Sequence, residues 1–173
     1  MTDLRYPIGD FVRPASLDGA ERAAAITNIR EVPARLGAAL AGLNDHQLDT
    51  PYRPGGWTVR QVAHHVPDSH LNAYIRLKLA LTEDSPTIKP YDEAAWARLP
   101  DSKLPVDASL RLLDAVHERW VVLLESLSEQ QWSRTFTHPE AGLTRLDQLL
   151  ALYSWHGRHH TAHITSLRER MGW

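Results

Sequence analysis

Ten histidines and no cysteine are the chemically informative features of this 173-residue chain. Seven of the histidines fall in two short segments, HHVPDSH (64–70) and HGRHHTAH (156–163). Imidazole nitrogens at that density suit a divalent metal ion. With no thiol present, disulfides and a cysteine nucleophile are excluded, and any ion must be held by nitrogen and oxygen. His156 and His160 stand four residues apart, so on a helix they lie one turn above the other and can grip the same ion. Such a pair also arises on solvated helix faces, and helical phase decides between the two readings.

Phase requires the elements. Periodicity predicts four helices. The first runs from about Asp18, a plausible N-cap, to Leu43, with Pro33 expected to kink or divide it. The loop Thr50–Gly56 precedes a second helix from Thr58 to about Leu81, opened by the capping-box word Thr58-Val-Arg-Gln61 and kinked near Pro67. Glu83–Pro105 holds four prolines and reads as a long ordered loop, with a short helix around Asp92 to Leu99. The third helix spans roughly Asp107 to Leu127. After a turn around His138–Gly142 the fourth runs from near Thr144 to about Arg170. No paired strand set is expected. The fold class is all-α, a four-helix bundle with long inter-helix connections.

On the fourth helix the apolar face is Leu146, Leu149, Leu150, Tyr153, Ile164, Leu167 and Met171. His160 lies seven residues from both Tyr153 and Leu167, and His156 lies seven after Leu149, so both share the core face. His163 is near that face one turn on, and His159 lies to the side. On the second helix the stripe is Val59, Val62, Val66, Ala73, Leu77 and Ala80. His65 flanks it, in line with Ser69, Asn72 and Arg76, whereas His64 points nearly opposite. Imidazoles on a core face are costly unless something satisfies them, which raises the metal reading over the bland one. His65, His156 and His160 thus form a candidate tripod for one divalent ion. His46, His70, His117 and His138 read as surface, capping or hydrogen-bonded structural residues, and Trp57, Trp120 and Trp155 as core or interface aromatics.

Three neutral imidazoles leave a coordination position open, the arrangement of a catalytic rather than a structural site. An ion there would lower the pKa of bound water or of another bound acid and polarise a carbonyl. Zinc, nickel, iron(II) and cobalt all accept such ligands. No general base stands out among Asp68, Asp92, Glu93 and His159, each of which also reads as solvated or capping. The other bound acid could be a thiol brought by the substrate, an alternative that the family resemblance below implies. Arg76, Arg158 and Lys78 are candidates to hold its carboxylates. A non-catalytic metal-binding bundle is the third reading.

The run PGGWTVRQVAHHVPDSHLNAYIRLKLALTEDSPTIKPYDEAAW (54–96), the segment LYSWHGRHHTAHI (152–164), the terminal RMGW (170–173) and RYPIGDF near the start resemble the YfiT group of the DinB superfamily over essentially the whole chain. The resemblance implies one domain over residues 1–173 with up-down-down-up helix topology. It further implies metal-dependent hydrolysis, a small-molecule substrate, one divalent ion per subunit (zinc first, nickel second) and a homodimer. Carried over residue by residue, it implies His65 as the ligand in the HHV word and His156 and His160 in the WHGRHH word. His163 stands where wider relatives often have glutamine. Other members of the superfamily imply the transferase alternative, with bacillithiol, mycothiol or glutathione as the thiol. The chain departs from the family word HHxADSH at Pro67, where alanine is usual.

Composition bounds the rest. Hydrophobic residues make up 43% and charged residues 23%, ordinary globular usage. A net charge of -2 without a basic stripe argues against nucleic acid and anionic membranes as partners. Met1–Asp10 has neither the apolar stretch of a signal peptide nor that of an anchor, so the expected location is the cytoplasm.

Overall fold

Most helices of this protein begin where a side chain can take over orphan backbone donors of the first turn; α5, which follows Val106, is an exception. In the computed structural model, which describes residues 3–173, Asp18 and Glu21 form a reciprocal capping box at the start of α1 (Gly19–Leu40). Asn44 with Gln47 opens the single turn α2 (Asp45–Leu48) in the same way. Thr58 with Gln61 opens α3 (Val59–Thr82), as the sequence predicts, with bonds of 3.0 and 3.1 Å. Asp92 caps α4 (Glu93–Trp96), and a 3-10 turn follows at Pro100–Lys103. The remaining helices are α5 (Asp107–Glu125), α6 (Glu129–Trp132) and α7 (Leu146–Met171). No helix is long and apolar enough to cross a membrane among the described residues.

The four long helices form a closed ring, and contacts at named residues fix their directions. Along α7, Asp147 meets Leu17, Ser154 meets Asn28, and Arg168 reaches the Ala39 carbonyl, so α1 and α7 run parallel. His64 with Ser109 and His70 with His117 make α3 parallel to α5. Ser69 with Tyr153 and His65 with His160 make α3 antiparallel to α7. The Ile29 carbonyl faces His117 while Arg22 pairs with Glu129 beyond the end of α5, so α1 and α5 are antiparallel. The order is therefore up-down-down-up.

Two apolar clusters fill the bundle. One contains Ile29, Ala73, Leu77, Trp120, Leu150 and Tyr153; the other contains Val32, Val62, Val66, Leu113, Ile164 and Leu167. The break between them falls from Val66 to Ala73 on α3 and from Tyr153 to Ile164 on α7. Those gaps hold Ser69, His70, His156, His159, His160 and His163, so a layer of imidazoles separates two oily halves.

Two expectations need correction. Thr135–His138 (β1) and Gly142–Arg145 (β2) pair as an antiparallel hairpin, so α7 starts at Leu146 rather than near Thr144. Four-residue strands are too short to leave a periodic signal. They are held because Phe136 is buried and Thr137 exchanges backbone bonds with Pro86 and Ile88. Pro33 and Pro67 lie inside α1 and α3, which continue through them, in keeping with the expectation at Pro67 of no break. The one-turn helices α2 and α6 were not anticipated, although their capping boxes Asn44/Gln47 and Ser128/Gln131 are visible in the sequence.

The parallel pair α1–α7 is drawn close by one residue. A Cβ on Gly157 would lie 2.4 Å from Val32 Cγ2, so only glycine permits this approach. We expect Gly157→Ala to lower unfolding stability by about 1–3 kcal/mol through overpacking. Gly37→Ala, also within a helix but with nothing within 4 Å of the added carbon, should raise it by about 0.5–1 kcal/mol. Urea denaturation of the two variants checks the pair; equal effects would refute the close-packing account.

Candidate metal centre

Helix α3 supplies His65 and helix α7 supplies His156 and His160, and the antiparallel α3–α7 contact turns the three rings toward one point. Each offers a nitrogen within 4.8 Å of the others. Ring centroids are 4.4 Å apart for His156 and His160, 4.8 Å for His65 and His160, and 5.3 Å for His65 and His156. The Nε2 atoms of His65 and His156 are 3.4 Å apart. That is long for a well-formed hydrogen bond from a ring N–H. It matches the edge, about 3.4 Å, of a tetrahedron of nitrogens at the usual zinc–nitrogen distance. The donor set therefore fits a divalent ion.

Electrostatics favours the state such binding needs. Burial pushes the His65 imidazole down to about 4 and holds His156 and His160 well below the ordinary histidine range, with neighbouring imidazoles adding to the effect. All three rings are consequently neutral at pH 7, the form with a free lone pair. Behind them, His156 Nδ1 lies 3.1 Å from His70 Nε2, His70 Nδ1 lies 2.8 Å from His117 Nε2, and His117 Nδ1 lies 2.7 Å from the Ile29 carbonyl.

The three rings open on a cavity of about 460 Å³. Trp57 packs over His65 with ring centroids 4.7 Å apart. Ser69 Oγ lies 3.5 Å from His156 Nε2 and 3.2 Å from the Tyr153 hydroxyl. Arg13, Arg76, Glu93, His138 and Thr144 complete the polar lining, with Phe136, Leu149 and Leu152 among the apolar one. Arg76 pairs with no carboxylate among the described residues.

The other sequence candidates are dispersed. Of the four suggested proton acceptors, only Glu93 lines the cavity. Asp92 is spent capping α4, accepting from Ala95 N at 2.8 Å. Asp68 is pushed up to about 6 by burial, with a smaller push from Asp101, but does not face the cavity. His159 stacks on Trp155 at 4.1 Å. Arg158 bonds the Ser154 carbonyl and Lys78 lies over the Tyr74 ring, so of the three cations only Arg76 reaches the site.

His163 donates to the Arg5 carbonyl and stacks on Tyr52; it forms a second triplet with His159 and His160, within 4.8 Å, on α7 alone. His64, placed by phase away from the core stripe, is buried instead, because the segment leading into α5 covers it and supplies Ser109 and the Leu104 carbonyl. Sequence reasoning read Trp57 as core or interface and His138 as structural, yet both line the cavity. No periodic signal marks them, because a loop carries one and the hairpin carries the other.

Comparison with known proteins places these features. Residues 28–164 match the sequence profile of the DinB superfamily. A "putative metal-dependent hydrolase" of Bacillus mycoides (strain KBAB4) is 59% identical over 173 residues, covering 100% of both chains. A protein of the same name from Bacillus cereus (strain B4264) is likewise 59% identical over the full length of both. Among solved structures, YfiT from Bacillus subtilis, described as "a probable metal-dependent hydrolase with an unusual four-helix bundle topology", is similar with TM-score 0.96 and 51% identity over 98% of each chain. TT2238, a four-helix bundle protein, shares the fold alone, with TM-score 0.57 and 21% identity over 84% of this chain and 98% of its own.

Burial of neutral imidazoles ties stability to pH. Burial lowers His65, His117 and His159 to about 4 and holds His70, His156 and His160 well below the ordinary histidine range. The unfolded chain therefore binds these protons first, and the contribution present above the unfolded value of about 6.5 is lost as pH falls toward 4. Asp68, raised to about 6, works in the opposite sense, but alone. Metal-stripped protein should show a urea midpoint that falls steadily from pH 7 to pH 5. Each titrating ring adds up to about 1.4 kcal/mol per pH unit. A flat midpoint across that range would refute the buried neutral rings.

Proposed function

From the premise that this chain belongs to the DinB superfamily, we propose that it is a metal-dependent hydrolase of small molecules in which His65, His156 and His160 hold one divalent ion per subunit. The observation that carries the reading is the 3.4 Å separation of the His65 and His156 Nε2 atoms, on two residues that line an open cavity with His160. An ion held there supplies Lewis acidity that acidifies water and polarises a carbonyl. An all-imidazole donor set suits zinc first and nickel second.

The chain's own residues divide the remaining work. Glu93 is the carboxylate positioned to hold or pass a proton within the cavity. Arg76, uncompensated by any carboxylate among the described residues, favours a substrate bearing an anionic group. Trp57, Phe136, Leu149 and Leu152 supply apolar wall that excludes water. A homodimer in the cytoplasm is part of the same proposal, with the family resemblance as the support for the dimer.

A second reading is metal-dependent S-transfer from a low-molecular-weight thiol. It is favoured by the absence of cysteine from the chain and by the same free Arg76, which suits the carboxylates of such thiols. A non-catalytic metal-binding bundle is the outcome if neither chemistry is found.

We expect His65→Ala, His156→Ala and His160→Ala each to weaken zinc binding at least ~100-fold in chelator competition, since each removes one of three ligands. Full retention in any variant removes that residue from the tripod. Ester, amide and lactone panels compared with and without the ion test hydrolysis. Conjugation of monochlorobimane with bacillithiol, mycothiol or glutathione tests transfer. Glu93→Gln should lower kcat by about 100-fold, the usual scale of general acid–base help, with metal content unchanged.

A further inference from the structure

The hydrogen bonds behind the tripod run in one direction only, and Pro33 is where they start. In an α-helix the Ile29 carbonyl accepts from the N–H of the residue four positions on, which here is Pro33. Proline has no N–H to give. Ile29 is wholly buried, so its carbonyl would be left without its ordinary donor in an apolar setting. His117 Nδ1 fills that place at 2.7 Å.

A carbonyl oxygen can only accept, so His117 Nδ1 must carry the hydrogen. His70 and His117 are 0% and 2% exposed, and neither forms an ion pair among the described residues, so burial keeps both rings neutral with one N–H each. His117 Nε2 is then a bare acceptor, and His70 Nδ1, 2.8 Å away, must donate to it. His70 Nε2 is bare in turn, so His156 Nδ1 must donate across 3.1 Å. The last consequence falls on His156 Nε2, which has no hydrogen and presents its lone pair 3.4 Å from His65 Nε2.

We propose that His117 and His70 are positioning residues that set the metal-binding tautomer of His156, anchored on the backbone carbonyl that Pro33 leaves free. The chain of rings is not a proton channel, since it ends on a carbonyl inside the protein. It commits one nitrogen as donor and the other as ligand, the service a carboxylate or backbone oxygen performs directly for many ligating histidines. Here two further imidazoles carry it across the bundle from α1 to α7. The claim about tautomers stands on the hydrogen bonds alone. The claim about affinity rests on the tripod proposed above.

The test uses the full-length, metal-free protein labelled with 15N at histidine. Two-bond correlation spectra distinguish protonated from bare ring nitrogens. In the wild type we expect His156, His70 and His117 all to be protonated at Nδ1 and bare at Nε2. His117→Phe removes the link and should shift His156 toward its Nε2–H form and weaken zinc binding by about 10–100-fold, the usual effect of removing an outer partner of a ligand. His117→Gln can still donate to Ile29 and accept from His70, so it should retain both the tautomer and the affinity; a merely space-filling role for His117 would not separate Gln from Phe. Protonation of His156 at Nε2 in the wild type, or an unaltered tautomer and affinity in His117→Phe, overturns the proposal. If the phenylalanine variant does not fold, the wild-type spectrum alone decides. If the wild type takes up no ion, the tripod fails, while the nitrogen shifts still decide the tautomer chain.

Discussion

A neutral imidazole carries one donor and one acceptor, and both must be answered when the ring leaves water. This bundle places most of its histidines in one buried layer, so that requirement governs how its helices meet. The Leu104 carbonyl and Ser109 answer His64, the Arg5 carbonyl answers His163, and the Ile29 carbonyl answers His117. Among the described residues, the buried imidazole nitrogens left without a partner, Nδ1 of His159, His160 and His163, all lie on α7. Two oily clusters flank the layer and keep water from relieving the demand elsewhere.

Topology makes the convergence possible. Placing α1 parallel to α7 allows Gly157 to sit against Val32, which seats the His156–His160 turn deep in the bundle beside α1. The opposite face of that turn meets α3, where His65 waits. The parallel α3–α5 pair then brings His70 and His117 into register behind His156. A plain up-and-down order would make α1 and α7 antiparallel and dissolve this arrangement. The proline that locally breaks the α1 hydrogen-bond ladder also supplies the acceptor on which the row of rings ends, so an irregularity in one helix becomes a fixed point for another.

Much of this was legible from spacing. The capping box at Thr58 and Gln61 and the four long helices reappear in the geometry, and the nitrogens of His65, His156 and His160, which phase singles out, lie within 4.8 Å of one another. The exceptions share a cause: they depend on partners distant in sequence. The hairpin at residues 135–145 is held by Phe136 burial and a loop fifty residues earlier, and its strands are too short to announce themselves. His64 was assigned away from the core because phase describes one helix and cannot see the segment that covers it. The role of His70 needed His117, 47 positions away, and that of His117 needed an oxygen on α1. Periodicity locates a face; it does not say which atoms wait opposite.

The parallel packing of α1 against α7 also sets a timetable. Among the four long helices, this pair joins the first synthesised to the last, and its closure spans the longest loop. Until α7 emerges, the apolar stripes of α1, α3 and α5 have no complete core to enter, and their exposed faces are open to nonspecific association. Gly157, His156 and His160 lie on that last element. The closure that buries the oily halves is therefore the same event that assembles the cluster of imidazoles, and a nascent chain truncated before α7 would have neither.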